Sequence, residues 1–82
     1  MANDTYKITA FAYDGNNKGV GGIKIKAMPN HDKEMEVRTD SSGMATFIIS
    51  SPKVAVYIDS STAFDGYTSD AAKNIISRQV RS

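Results

Sequence analysis

The sequence predicts an all-β protein, a small antiparallel β-sandwich of about seven strands. Three observations carry that expectation. Apolar and polar residues alternate with period two through a succession of short runs. Clusters of Gly, Asn, Asp, Ser and Pro separate those runs at regular spacing. The stretch Glu34 to Ser51, EMEVRTDSSGMATFIISS, then reads as strand, tight turn, strand: a hairpin around Asp40-Ser41-Ser42-Gly43.

Taken in order, the first strand is expected over Tyr6 to Tyr13. Tyr6, Ile8, Ala10 and Ala12 share one face; Lys7, Thr9, Phe11 and Tyr13 share the other. Asp14 to Gly19 is a turn built from residues that tolerate left-handed backbone, and Gly21-Gly22 marks a bend or bulge. Ile23, Ile25 and Ala27 then point inward, with Lys24 and Lys26 outward. Pro29 to Lys33 is a polar loop. In the hairpin, Met35 and Val37 alternate with Glu34, Glu36 and Arg38, and Ala45, Phe47 and Ile49 resume the inward set after the turn. Ser51-Pro52 ends it, and Lys53 to Asp59 forms a further strand with Val54, Val56 and Ile58 inward. Ser60 to Asp70 reads as loop. The tail, residues 71–80, has two readings. Asp70 can cap a short helix through Ala71-Ala72-Lys73, or Asn74 to Val80 closes the sandwich as a strand. The strand is preferred, because an all-β domain needs its last edge paired or covered.

The chain has 82 residues, enough for a single domain at 1–82. A domain of this size buries roughly 60% of the surface its unfolded chain exposes, so close packing or a partner must supply stability. No cysteine is present, which removes disulfides and thiolate metal sites as staples. Ten Lys and Arg against nine Asp and Glu give a net charge of +1, spread along the chain without a basic stripe, so no nucleic acid is expected as a partner. The start, Met1-Ala2-Asn3-Asp4-Thr5, is polar and lacks a signal-peptide run. No later apolar stretch is long enough for a membrane helix, so no membrane is expected either. Asn3-Asp4-Thr5 matches the glycosylation sequon, a signal that carries weight only in a secreted chain.

Specific residues resemble a known family. Gly19-Val20-Gly21-Gly22-Ile23-Lys24-Ile25-Lys26-Ala27 resembles the "pvsgvtV" entry strand of carboxypeptidase-regulatory-like and transthyretin-like domains, which are Ig-like sandwiches. Thr39-Asp40-Ser41-Ser42-Gly43-Met44-Ala45-Thr46-Phe47 resembles their "TDxxGxaxf" hairpin. Val54 to Tyr57 and Gly66-Tyr67 stand where those domains carry a "ytvtv" strand and a following "GY". The resemblance implies a fold and is nearly silent on activity. Such modules occur as accessory domains of peptidases, as surface-protein stalks and as bacteriophage structural domains. The related Cna-B stalk domains form a Lys–Asn or Lys–Asp isopeptide bond assisted by a Glu in "ETxAPxGY". Asp59 to Tyr67 echoes that motif, with Asp for Glu, Phe for Pro and one extra residue. The family's lysine position holds Phe11 and Ala12, and Lys7 lies too early and faces outward. The isopeptide bond is therefore not expected here.

Catalysis has little to work with, so no enzyme and no cofactor are expected. His31, the only histidine, stands beside Asp32 in a polar loop, with no Cys and no Ser in a nucleophile context. Asp14 to Gly19 faintly resembles a calcium loop but fails at Lys18 and at Ile25, where oxygen ligands belong. Asp59, Asp65 and Asp70 would need to converge at one end of the sandwich to hold a cation, and turn chemistry explains them equally well. No metal is expected. Gly19, Gly21 and Gly22 lack the helix and the Lys-Ser/Thr pair of a phosphate loop. Lys24 and Lys26 read as edge-strand protection.

What rises above background is a set of apolar residues on nominally wet faces: Phe11, Tyr13, Met44, Ile48 and Tyr57. On adjacent strands they would form a patch of a few hundred Å², large enough for a contact surface. The competing reading is that loops or the tail cover them. The expectation that joins these features is a non-catalytic structural module, a bacteriophage virion accessory protein such as a capsid decoration or head-associated subunit. Its partner would be a capsid or other virion protein, with a homo-oligomer as a further expectation. Phe11, Tyr13, Met44, Ile48 and Tyr57, or the tail with Arg78 and Arg81, would make the contact. Its location would be the virion, after synthesis in the host cytoplasm. The alternative is a stalk or adhesin module of a larger cell-surface protein. A second alternative is a small carbohydrate- or ligand-binding sandwich using Tyr57, Phe64 and Tyr67.

Overall fold

A computed structural model describes residues 5–80. The sequon residues Asn3 and Asp4, and Arg81, lie outside the described residues. Among the described residues, seven strands form two sheets: β1 (Tyr6–Tyr13), β2 (Lys24–Pro29), β3 (Met35–Arg38), β4 (Met44–Ile49), β5 (Lys53–Ile58), β6 (Ser61–Tyr67) and β7 (Ile76–Gln79). One sheet has the order β4-β1-β7, the other β3-β2-β5-β6. The first strand pairs with the fourth and the seventh. In constant-type immunoglobulin domains, by contrast, the first two strands share a sheet.

The alternation read from the sequence sets the core. Ile8, Ala10 and Ala12 of β1, Ala45, Phe47 and Ile49 of β4, Ile25 and Ala27 of β2, and Val54, Val56 and Ile58 of β5 are all buried between the sheets. Each fully buried Ile or Val stabilises the fold by roughly 1.5–3 kcal/mol. Ala10 and Ala12 of β1 and Ala27 of β2 are fully buried and contribute small side chains to this core.

Glu34 to Ser51 is not a hairpin. β3 pairs with β2 and β4 pairs with β1, so the Asp40–Gly43 turn carries the chain from one sheet to the other. Period-two burial is the same for two strands facing each other across a core as for two paired side by side, which is why the pattern did not separate them. Local chemistry makes the crossing. Thr39 stays bound to the start of β2: its hydroxyl donates to the Val20 carbonyl at 2.6 Å and accepts from the Ile23 N–H at 3.0 Å. One residue later, an Asp40 carboxylate oxygen accepts from the Ser42 N–H, the Ser42 hydroxyl and the Met44 N–H. Gly43 then turns with φ of +84° and passes under Gly19 and Ala12.

The stretch from Ser60 to Asp70, expected as loop, is mostly strand. β5 and β6 form the tight hairpin, closed by Asp59 and Ser60 with φ of 54° and 69°. Both central residues are left-handed, as such a two-residue turn requires, but Asp-Ser lacks the glycine that usually announces it. Along β6, Thr62 stands opposite Tyr57 and Phe64 opposite Val56, so Ala63 is the extra residue of a bulge. That bulge breaks the alternation and hid the strand.

The two readings of the tail, offered as alternatives with the strand preferred, both occur, at shifted positions. α1 (Thr68–Ala71) is a single helical turn whose N-cap is Tyr67, without a side-chain cap, so Asp70 lies inside the turn and does not cap it. Thr68 anchors it instead, its buried hydroxyl donating to the Ser51 carbonyl at 2.6 Å. The chain then crosses to the other sheet, where β7 runs parallel to β1. This one parallel pair makes the three-stranded sheet mixed.

Candidate functional site

The outer face of the three-stranded sheet collects four of the five apolar residues singled out from the sequence. Phe11 stands directly across from Met44, Thr9 from Thr46 and Lys7 from Ile48. On the other side, Ser77 and Gln79 of β7 flank Phe11 and Tyr13. The rings of Phe11 and Tyr13 stack with centroids 5.7 Å apart and planes inclined by 18°. Ala12 donates its N–H to the Gly43 carbonyl, and antiparallel pairs alternate between bonded and non-bonded. Phe11 and Met44 are therefore a non-bonded pair, the closer kind, with Cα atoms about 4.5 Å apart. The face has an apolar pole at Met44, Phe11 and Tyr13, all half-buried, a threonine pair in the middle, and Ile48 at 58% exposure beyond it.

Tyr57 does not belong to this patch. It lies on β5, on the outer face of the other sheet, where it borders a groove of about 220 Å³ with Lys24, Lys26, Met28 and Ser60. That face is charged: Lys26 pairs with Glu34 at 3.2 Å, and the Lys53 ammonium sits 5.3 Å from the centre of the Tyr67 ring. Lys24 and Lys26 are not edge protection, because β2 is flanked by β3 and β5. Arg78 also stands apart from the patch. It shares an open polar cleft at the end of the sandwich with Asp59, Ser61, Gln79 and Val80.

The remaining chemistry is structural. His31 is exposed and donates its backbone N–H to the Ser51 hydroxyl, while an Asp32 carboxylate oxygen accepts from the Lys33 N–H. Asp14 closes its own turn by accepting from the N–H groups of Asn16 and Lys18. Asp59, Asp65 and Asp70 are not brought together, and no three His, Cys, Asp or Glu side chains gather in metal-binding geometry among the described residues. Phe64 packs toward the core while Tyr57 and Tyr67 face outward, so the three aromatics share no platform. Lys7 is exposed on the outer face, and the buried polar residues among those described are Thr39, Ser51 and Thr68. The Asp40 carboxyl is held below its ordinary range. The Ser42 hydroxyl is the main cause, followed by the N–H groups of Met44 and Ser42.

Comparison with family models, curated proteins and solved structures finds no match to this chain.

The sequence reading missed one feature, the free edge of β4. Because Phe11–Met44, Thr9–Thr46 and Lys7–Ile48 are non-bonded pairs, the backbone groups of Met44, Thr46 and Ile48 point away from β1. Asp40 takes those of Met44. Those of Thr46 and Ile48 have no partner among the described residues. The signal was present as six uncharged residues, Met44 to Ile49, but it becomes an edge only once β3 is known to lie in the other sheet.

Proposed function

We propose that this protein is a non-catalytic structural module that contacts another protein through the outer face of its three-stranded sheet. The observation that carries the reading is the stacked Phe11–Tyr13 pair beside Met44 on a face turned away from the core. Stacked aromatics with an adjacent Met form a rigid, adaptable anchor of the kind that dominates protein interfaces. The four-stranded sheet also turns Met28, Tyr57 and Tyr67 outward, but among Lys24, Lys26, Glu34 and Lys53, and this difference in charge supports the three-stranded face as the contact side. The proposed setting is a virion, with the chain as an accessory subunit that decorates or braces the capsid. The transthyretin-like resemblance belongs to the same proposal and rests on Gly19 to Ala27, Thr39 to Phe47, Val54 to Tyr57 and Gly66-Tyr67.

Phe11→Asp tests the reading. It removes half of the aromatic stack and places a carboxylate at the apolar pole without touching the inner face. The expected result is that wild-type chain co-purifies with intact particles and Phe11→Asp is released from them, while both give the same folded circular-dichroism spectrum. Absence of the wild-type chain from particles overturns the setting, and unchanged binding of Phe11→Asp overturns the face.

A further inference from the structure

Each sheet ends in two edge strands, and three of the four edges carry a device that discourages pairing with another chain. β3 is four residues long and charged at Glu36 and Arg38. β6 is bulged at Ala63 and carries Asp65. β7 is four residues long with Arg78. β4 has none: it reads MATFII, uncharged and without proline, in unbroken register with β1. A six-residue segment with this composition on an open edge is an aggregation hazard unless something pairs with it.

We infer that the occupant of this edge is a second copy of the same chain, paired antiparallel β4 to β4. The strand is self-complementary. With a two-fold axis through Phe47, Thr46 of one copy lies opposite Ile48 of the other, and the reverse. These are the residues whose backbone groups point outward, so each pair exchanges both of its hydrogen bonds. No like charges meet, whereas a partner strand chosen by charge would find nothing on β4 to read. The side-chain parity also continues. Phe47 of both copies faces the cores, and Thr46 and Ile48 of both copies extend the outer face. Isologous pairing therefore joins two three-stranded sheets edge to edge and carries the outer face across the axis. It rests on the backbone of β4 and stands whether or not Phe11 and Tyr13 contact a further protein.

A charge-swap pair tests the register. Thr46 and Ile48 are both exposed, so substitutions there leave the core intact. T46K/I48K sets Lys against Lys across the axis twice; T46K/I48E sets Lys against Glu twice. Light scattering over a concentration series is expected to give twice the chain mass for wild type and T46K/I48E, and the chain mass for T46K/I48K. Amide exchange at Thr46 and Ile48 is expected to slow at least tenfold from dilute to concentrated wild type. Circular dichroism checks that every variant is folded. A wild type of single-chain mass throughout, with fast exchange at Thr46 and Ile48, overturns the pairing. A dimer that survives T46K/I48K, or is lost equally in T46K/I48E, overturns the register.

Discussion

Asp40 and Gly43 decide at the residue scale whether the chain can cross between the sheets. The Asp40 carboxylate is held below its ordinary value of 3.8 by the Ser42 hydroxyl and the Met44 and Ser42 N–H groups. A group lowered on folding contributes stability that is complete above its unfolded value and is lost as the pH falls through its folded value. Asp40→Asn is therefore expected to lower the urea midpoint at neutral pH, with the gap to wild type closing as the pH is taken down from about 4 through the acid range. Midpoints of both proteins across that range provide the check. The two left-handed glycines offer a contrast. A Cβ at Gly43 would lie 2.5 Å from the Ala12 carbonyl oxygen and 2.7 Å from Gly19 Cα, whereas one at Gly22 would meet nothing within 4 Å. Gly22→Ala is expected to cost about 1–2 kcal/mol from backbone conformation alone. Gly43→Ala adds backbone overlap and is expected to cost about 3 kcal/mol or more. Equal costs in chemical denaturation would contradict the tight passage under Gly19.

Thr39 holds the crossing in place at the scale of elements. Its hydroxyl serves both Val20 and Ile23, so Thr39→Val leaves a carbonyl and an N–H without their partner at the start of β2. The expected loss is about 1–3 kcal/mol, read from the urea midpoint with an unchanged slope. Strands β1 to β5 and their inward faces were legible in the sequence because each buries one face and the period of two survives any pairing partner. The partner itself was not legible, and Met35–Arg38 followed by Met44–Ile49 fits a hairpin and a crossing equally well. β6 was hidden twice, by a turn without glycine at Asp59-Ser60 and by the bulge at Ala63, which moves Phe64 onto the inner parity. The contact candidates follow the same rule. Phe11, Tyr13, Met44 and Ile48 share a face because β4 pairs with β1, and Tyr57 does not because β5 belongs to the other sheet.

The whole molecule has two unlike outer faces around one small core. One face carries the stacked Phe11–Tyr13 pair and Met44 beside an uncharged edge; the other carries Met28, Tyr57 and Tyr67 among charged side chains around a groove. Both carry matched reporters for hydroxyl-radical footprinting: Phe11, Tyr13 and Met44 on the three-stranded sheet, and Met28, Tyr57 and Tyr67 on the four-stranded one. Comparing oxidation of the free chain with that of the chain in its native assembly tests most directly which side makes contact. Phe11, Tyr13 and Met44 are expected to become protected while Met28, Tyr57 and Tyr67 oxidise as in the free chain. Protection confined to Met28, Tyr57 and Tyr67, or equal oxidation of both sets in the two states, would contradict it.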